Sequence, residues 1–225
     1  MINKDIKLLS LAEQLRLDYL KAKPFSHTVI DNLISSELLN SVSEEFNIKD
    51  NNRMIFNNPN EKKIALNDWK KFGEKTKALI EYLNSKPFIK FLEKLTGIKN
   101  LIPDKSLEGG GLHQINHGGF LKIHADFNKH SKLNLDRRLN LLIFLNKDWH
   151  DEWNGDFEMW TKDVRKCEKK VSPIFNRTII FSTTDFSFHG HPNKLKCPKN
   201  NPRRSIALYY YSDGRPSSEV QKGLK

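Results

Sequence analysis

A chain of 225 residues with 37% hydrophobic and 10% aromatic residues can bury a sizeable core, which excludes a disordered protein and favours one globular domain. No apolar run approaches the roughly 20 residues of a membrane-spanning helix, and the N-terminal MINKDIKLLS does not resemble a secretory signal. The net charge of +11 comes from lysines along the whole chain, which indicates a solvated surface rather than a nucleic-acid interface. We therefore expect a cytoplasmic protein that contacts neither membrane nor nucleic acid.

The two cysteines, Cys167 and Cys197, are too few for a disulfide framework and form no Cys-x-x-Cys pair, so we interpret them as reduced thiols. Basic residues cluster at 162–170 and 194–204. We interpret both clusters as solvated surface, with an acidic peptide or a phosphorylated compound as the alternative partner.

The first 102 residues predict helices and one short strand. Leucines at helical spacing predict a first helix that ends before Pro24. A strand is predicted over His27–Ile30, helices over Ser36–Phe46, about Asp68–Ser85 and Pro87–Gly97, and a loop over the Asn-rich stretch Asn47–Asn60.

After Pro103 the pattern changes to short strands separated by glycine-containing turns. Closely spaced strands of this kind are typical of a jelly roll or barrel. We therefore predict an α+β protein with a double-stranded β-helix (jelly-roll) core at 103–215, mostly helical residues 1–102 packed on its outside, and a C-terminal tail at 216–225. The predicted strands are Leu112–Ile115, Phe120–His124, Arg138–Leu145, Asp156–Trp160, Thr178–Phe181 and Ser205–Tyr211.

Metal-binding chemistry is indicated by the triplet His124-Ala125-Asp126. On a strand, residues i and i+2 point to the same face, so the imidazole and the carboxylate are expected to project together. His189, after a distant strand, can supply a third ligand. Two imidazoles and one carboxylate can hold one face of an Fe(II) ion and leave the opposite face open for other ligands.

Spacing alone does not decide which histidine is the third ligand or which arginine faces inward. His191 lies two residues after His189 and competes with it as a ligand. Arg203 and Arg204 precede the strand-like run Ser205–Tyr211, and one of them can face inward. A planar guanidinium matches a carboxylate bidentately, and a buried one needs such a partner to offset its desolvation.

Several motifs carry a family resemblance. They are Gly118-Gly119-Phe120-Leu121-Lys122-Ile123-His124-Ala125-Asp126, Arg138-Leu139-Asn140-Leu141-Leu142-Ile143-Phe144-Leu145-Asn146, Pro173-Ile174-Phe175-Asn176-Arg177, His189-Gly190-His191-Pro192 and Arg203-Arg204-Ser205-Ile206-Ala207-Leu208-Tyr209. Together they resemble the iron- and 2-oxoglutarate-dependent dioxygenases, in particular the branch similar to prolyl 4-hydroxylases. The close resemblance covers about half of the chain.

The resemblance implies a role for each site residue. His124, Asp126 and His189 match the iron ligands, and His189 is preferred to His191 because it occupies the family's His-Gly-x-Pro position. Arg203 matches the arginine that binds the cosubstrate, because it lies six residues before the aromatic residue of the last strand.

The implied reaction is hydroxylation of a C–H bond with Fe(II), dioxygen and 2-oxoglutarate, which leaves as succinate and carbon dioxide. Ascorbate is a further ligand of the family. The implied substrate is a prolyl residue in a peptide or protein, or free proline. The alternatives within the class are other amino acids, small metabolites and sugars.

The sequence departs from the family at two places. Gly155-Asp156 stands where many relatives have Gly-Gly, and the tyrosine that often assists the cosubstrate carboxylate is absent. His113, Gln114 or Asn116 occupies the neighbourhood of that tyrosine, so the second contact to the cosubstrate stays open. Three tryptophans could line a substrate groove, although a core position is the preferred interpretation: Trp149, Trp153 and Trp160.

A non-redox cupin-type protein that binds a metal or a sugar is the alternative from another class. Cupins usually present a His-x-His pair with a glutamate and lack the late arginine, so Asp126 and Arg203 argue against this alternative. A nucleic-acid demethylase would rest on the net charge alone.

Overall fold

The computed structural model describes residues 1–46, 48 and 53–221. Within this part of the chain, four α-helices are present, and none is long and apolar enough to cross a membrane. The helices are α1 (Leu8–Lys21), α2 (Ser36–Glu45), α3 (Glu74–Leu83) and α4 (Lys86–Thr96).

Twelve strands of the described chain form one antiparallel, curled sheet. They are β1 (His27–Asp31), β2 (Met54–Asn57), β3 (Glu61–Leu66), β4 (Ile102–Pro103), β5 (Gly111–Ile115), β6 (Phe120–His124), β7 (Asp136–Phe144), β8 (Phe157–Trp160), β9 (Cys167–Val171), β10 (Arg177–Ser182), β11 (His189–His191) and β12 (Arg203–Ser212). The strand order is β1-β10-β7-β12-β5-β3-β6-β11-β8-β9, with β2 beside β3 and β4 beside β12.

Alternation along β7 and β12 separates the two faces of this sheet. One face packs with all four helices in the largest hydrophobic cluster, through Leu139, Leu141, Ile143, Ile206, Leu208 and Tyr210. The residues between them on the two strands are then directed to the interior of the curled sheet. The helices therefore cover the outside of a jelly-roll core, as predicted from the sequence.

The predicted third helix is interrupted. A short 3-10 turn at Trp69–Lys71 precedes Gly73, and α3 begins only at Glu74. The carboxylate of Glu45 accepts hydrogen bonds from the backbone N–H groups of Lys75 (2.9 Å) and Thr76 (2.8 Å). A side chain from the end of α2 therefore caps α3, a tertiary contact that no local pattern indicates.

The predicted loop Asn47–Asn60 is wrong at Met54–Asn57, which forms strand β2 of a hairpin with β3, whereas Asn58–Asn60 form the turn of that hairpin. The Asn58 side chain accepts hydrogen bonds from the N–H groups of Asn60 (2.8 Å) and Glu61 (3.1 Å), which builds the turn. Strand β3 pairs with both β5 and β6 and therefore links the two halves of the strand order. Residues 47 and 49–52 of the predicted loop, and 222–225 of the predicted tail, lie outside the described residues.

Candidate active site

Strands β6 and β11 bring the three predicted ligands together. His124 ends β6 and is the register partner of His189, which begins β11. One ligand atom of each of His124, Asp126 and His189 lies within 4.8 Å of the others. The His189 Nε2 is 3.4 Å from one Asp126 carboxylate oxygen, and the His124 Nε2 is 3.7 Å from the other. Within the described residues, no other group of histidine, cysteine and acidic side chains converges this closely.

The explanation for the position of Asp126 differs from the predicted one. Strand β6 ends at His124, so strand alternation does not direct the carboxylate. Instead, the Asn140 side-chain amide donates to an Asp126 oxygen at 2.7 Å, and the Arg137 guanidinium lies 3.3 Å from the same oxygen. Both partners lie on the interior side of β7 and hold the carboxylate through this one oxygen.

The ring orientation of both histidines suits metal ligation. The Nδ1 of His124 is 2.9 Å from the carbonyl oxygen of Lys122, and the Nδ1 of His189 is 2.9 Å from that of Ser187. A ring that donates from Nδ1 to a carbonyl keeps its proton there and leaves the Nε2 lone pair free. In both residues Nε2 is the atom directed toward Asp126.

The electrostatics of the three residues also fit a divalent cation. Burial alone would raise the pKa of Asp126, but Arg137 and the two imidazoles hold it well below its usual range. Burial lowers the pKa of His189 to about 4, so this ring is neutral near pH 7. Burial also disfavours a charged His124, yet the hydrogen bond and the charge of Asp126 raise its pKa. One carboxylate and two imidazoles are the ligand set that open Fe(II) sites use.

Gly190 keeps β11 close to β6. A Cβ atom at this position would lie 2.7 Å from the carbonyl oxygen of Lys122 and 2.8 Å from that of Leu121, both on β6. We expect Gly190→Ala to separate His189 from His124, to weaken Mn(II) binding about tenfold or more, and to lower the free energy of unfolding by about 1–3 kcal/mol. Calorimetric titration and urea unfolding measure the two effects.

The control for this prediction is Gly118→Asn. Gly118 has open space at its Cβ position and a φ of +75°, which asparagine tolerates. Metal affinity of Gly190→Ala equal to that of Gly118→Asn would contradict the proposed role of the close strand contact.

Arg203 is buried, with 4% of its surface exposed. Its Nε donates to the Gly155 carbonyl oxygen at 2.8 Å, and its guanidinium lies 4.8 Å from the centre of the Phe144 ring. Burial lowers the pKa of Arg203 to about 10, with Asp156 opposing the shift. No carboxylate among the described residues lies within ion-pair distance of this guanidinium. A buried cation without such a partner is expected to receive one from a ligand.

The second arginine faces the other side of the sheet. The Arg204 guanidinium lies 5.0 Å from the centre of the Phe46 ring, next to α2, and its Nε donates to the Gln114 side chain at 3.1 Å. Gln114 in turn donates to the Asn116 side chain at 2.9 Å. Two of the three side chains near the missing tyrosine, Gln114 and Asn116, are therefore engaged with each other, and Gln114 is also engaged with Arg204.

A cavity of about 530 Å³ is lined by two of the three convergent residues, His124 and Asp126. Residues of the β2–β3 hairpin and the side chain of Arg137 also line it. Its walls also include Met54, Phe56, Asn60, Glu61, Lys63, Ala65, Gly109, His113, Leu121, Phe127 and Tyr209. Within it, Lys63 pairs with Glu61 at 2.8 Å.

The tryptophans belong elsewhere in the structure. Trp149 is buried in a cluster with Ile115, Leu195 and Cys197, and Trp153 packs against it. The Trp160 indole donates to the side chain of Glu158. Along the described chain, none of the three lines the 530 Å³ cavity, which agrees with the core interpretation for Trp149.

Sequence reasoning missed the residues that support Asp126 and those that form the hairpin wall. Asn140 is a polar position in the apolar run of β7, and that interruption was the available signal. Arg137 lies in the charged start of the strand, Asp136-Arg137-Arg138, which gives no such signal. Lys63 lies in a stretch of mixed charge whose path across the sheet opening depends on long-range strand pairing.

The curled sheet is that of a jelly-roll protein, and its three convergent side chains, two histidines and one carboxylate, form a candidate metal centre. Residues 110–211 match the family model described as the 2OG-Fe(II) oxygenase superfamily. This segment of the chain is similar to that superfamily, so the resemblance found in the sequence is confirmed. None of the curated proteins compared with the sequence matches it.

Solved structures of similar fold agree with this assignment. A prolyl 4-hydroxylase from Pseudomonas putida superimposes with a TM-score of 0.62 at 13% identity, over 92% of this chain and 100% of its own. A prolyl hydroxylase from Trichoplax adhaerens, in complex with a peptide fragment of hypoxia inducible factor, gives 0.63 at 16% identity over 91% and 90%. HygX from Streptomyces hygroscopicus, with nickel, 2-oxoglutarate and hygromycin B bound, gives 0.56 at 12% identity over 88% and 86%. At such identities the similarity is one of fold.

Proposed function

We propose that this protein is an Fe(II)- and 2-oxoglutarate-dependent dioxygenase that hydroxylates a C–H bond of a prolyl residue in a peptide or protein, with release of succinate and carbon dioxide. The proposal rests on one observation. His124, Asp126 and His189 converge beside a 530 Å³ cavity, while the buried Arg203 has no carboxylate partner among the described residues. When bound, Fe(II) supplies the activation of dioxygen that C–H oxidation requires.

The protein's contribution at the metal site is position and charge. The backbone carbonyls of Lys122 and Ser187 fix the tautomer of the two imidazoles, so that both Nε2 atoms are available as ligands. Asn140 and Arg137 hold one Asp126 oxygen and keep the carboxylate ionised. The three ligands therefore need little rearrangement to bind a cation.

Arg203 would bind the far carboxylate of 2-oxoglutarate. Its Nε is used by the Gly155 carbonyl, which leaves the terminal nitrogens for a bidentate contact. Since the guanidinium is buried, an ion pair with a carboxylate would be strong, and it would offset the cost of burying the charge.

The cavity under the β2–β3 hairpin is the proposed substrate site. Its wall offers the Phe56 ring, the Lys63–Glu61 pair and the Arg137 guanidinium, which suit a residue with polar backbone groups on both sides. The prolyl hydroxylases of similar fold support a prolyl substrate. HygX, which holds hygromycin B, supports the alternative, a small metabolite, amino acid or sugar. The family match argues against the non-redox cupin-type alternative.

Succinate formation tests the proposed reaction. We expect the purified protein with Fe(II), 2-oxoglutarate and air to form succinate, and to do so faster with a prolyl peptide library than with free amino acids or aminoglycosides. Mass spectrometry should show the addition of one oxygen to a proline. Omission of ascorbate from the assay tests whether turnover depends on ascorbate. Addition of an iron chelator is the control and should stop succinate formation. Absence of both succinate and 2-oxoglutarate binding would contradict the proposal.

A further inference from the structure

His191 is a buried histidine without a hydrogen-bond partner. Only 3% of its surface is exposed, and neither ring nitrogen has a partner among the described residues. An imidazole carries at least one N–H donor in either protonation state. Buried polar groups are nearly always paired in native proteins, so an orphaned one indicates a missing ligand or water.

Its surroundings indicate which ligand. His191 lies on β11 two residues after His189. It shares a cavity wall with Gly155, whose carbonyl oxygen accepts the Arg203 Nε hydrogen bond. The His191 imidazole and the terminal nitrogens of the Arg203 guanidinium, which have no acceptor among the described residues, therefore lie in one region next to the candidate metal site. A carboxylate is an acceptor that can satisfy both.

Two of the other candidates for this contact are engaged elsewhere. Gln114 and Asn116 hydrogen-bond to each other, and Gln114 also accepts from Arg204 on the helix side of the sheet. The third candidate, His113, has one buried ring nitrogen without a partner, Nε2, but its ring lines the 530 Å³ cavity of the proposed substrate site. Within the described chain, His191 is thus the imidazole near Arg203 with both nitrogens unpaired.

Charge indicates the side on which the carboxylate binds. The small cavity that His191 and Gly155 line, of about 150 Å³, is bordered by Asp151, Asp156 and Glu158. Three acidic side chains would repel a dicarboxylate there, although Lys170 pairs with Glu158 at 3.1 Å. The anion is therefore expected outside this small cavity, beside the Arg203 guanidinium.

We propose that His191 donates an N–H hydrogen bond to the far carboxylate of 2-oxoglutarate and, with Arg203, forms the site for that carboxylate. This inference rests on the proposed function, because 2-oxoglutarate must be the cosubstrate. His191 then takes the place of the tyrosine that the sequence lacks.

Calorimetric titration of the Mn(II)-loaded protein tests the inference without turnover. We compare 2-oxoglutarate with 2-oxopentanoate, which has the same carbon chain but no far carboxylate. His191→Leu should weaken 2-oxoglutarate binding roughly 10- to 100-fold, the loss expected for a hydrogen bond to a charged group. It should leave binding of 2-oxopentanoate and of Mn(II) unchanged. His191→Gln, which keeps an N–H donor, should recover most of the affinity, and Gln114→Leu is the matched control that should have no effect.

Each contrary result has a distinct meaning. Equal 2-oxoglutarate affinity in wild type and His191→Leu would overturn the inference and leave the proposed function intact. An equal loss for both keto acids would also overturn it, because His191 would then act on the fold or on the chelating end. No 2-oxoglutarate binding by the wild type would overturn the proposed function and the inference together. Where circular dichroism shows that His191→Leu does not fold, His191→Phe gives the same comparison with the ring shape retained.

Discussion

Replacement of His124 by alanine is expected to abolish iron-dependent succinate formation. Loss of a supporting hydrogen bond to a metal ligand typically costs 10- to 100-fold in affinity or activity, so loss of a ligand itself should cost more than about 100-fold. His124 is the most accessible of the three residues, with 35% of its side chain exposed. The variant should therefore fold normally, and its loss of activity can be assigned to the metal site.

The measurement combines Mn(II) titration with succinate formation in the His124→Ala variant. The control is His150→Ala, because the His150 side chain is 56% exposed and lies outside the site. Full activity of His124→Ala would refute the ligand assignment. Asp126→Asn is a less direct test, since it would also leave the buried Arg137 guanidinium without its carboxylate partner.

The class of fold and the face on which Arg203 lies could be predicted because local patterns specify them. The three convergent residues could be named from their motifs, although the contacts that position the Asp126 carboxylate come from β7. Alternation along Ser205–Tyr211 separates the Arg203 side from the Arg204 side, and the structure places the two side chains on opposite faces. The helix ends follow from local signals too: α4 ends at Gly97, which adopts a left-handed φ of +80°. Both features depend on residues close together in the chain.

Features that depend on distant segments could not be predicted. The β2–β3 hairpin lies in a region rich in asparagine, and its place across the sheet opening is decided by pairing with β5 and β6. Arg137 and Arg138 are adjacent and both buried, but only the fold shows that Arg137 reaches Asp126 while Arg138 reaches Glu219. Likewise, the shift of register between His189 and His191 is visible only in the pairing of β11 with β6.

Replacement of Arg203 by methionine is expected to separate cosubstrate binding from folding. The proposed ion pair with the far carboxylate would be lost, and we expect 2-oxoglutarate affinity to fall at least about 100-fold, while Mn(II) affinity is unchanged. Arg203→Lys should give an intermediate affinity, because lysine keeps the charge but not the planar fork. Calorimetric titration of the Mn(II)-loaded variants measures both constants.

The same variant makes an opposite prediction for stability. In the ligand-free protein, Arg203 is a buried cation with no ion-pair partner in the described structure, and a methionine, which is uncharged and unbranched, removes that desolvation cost. The lost Nε bond to Gly155 offsets part of the gain. We therefore expect the free energy of unfolding of Arg203→Met to be equal to the wild-type value or higher by about 1–2 kcal/mol in urea. A clear loss of stability together with wild-type cosubstrate affinity would show that Arg203 serves the fold. The expected result, weaker binding without a loss of stability, is what a residue retained for its ligand should show.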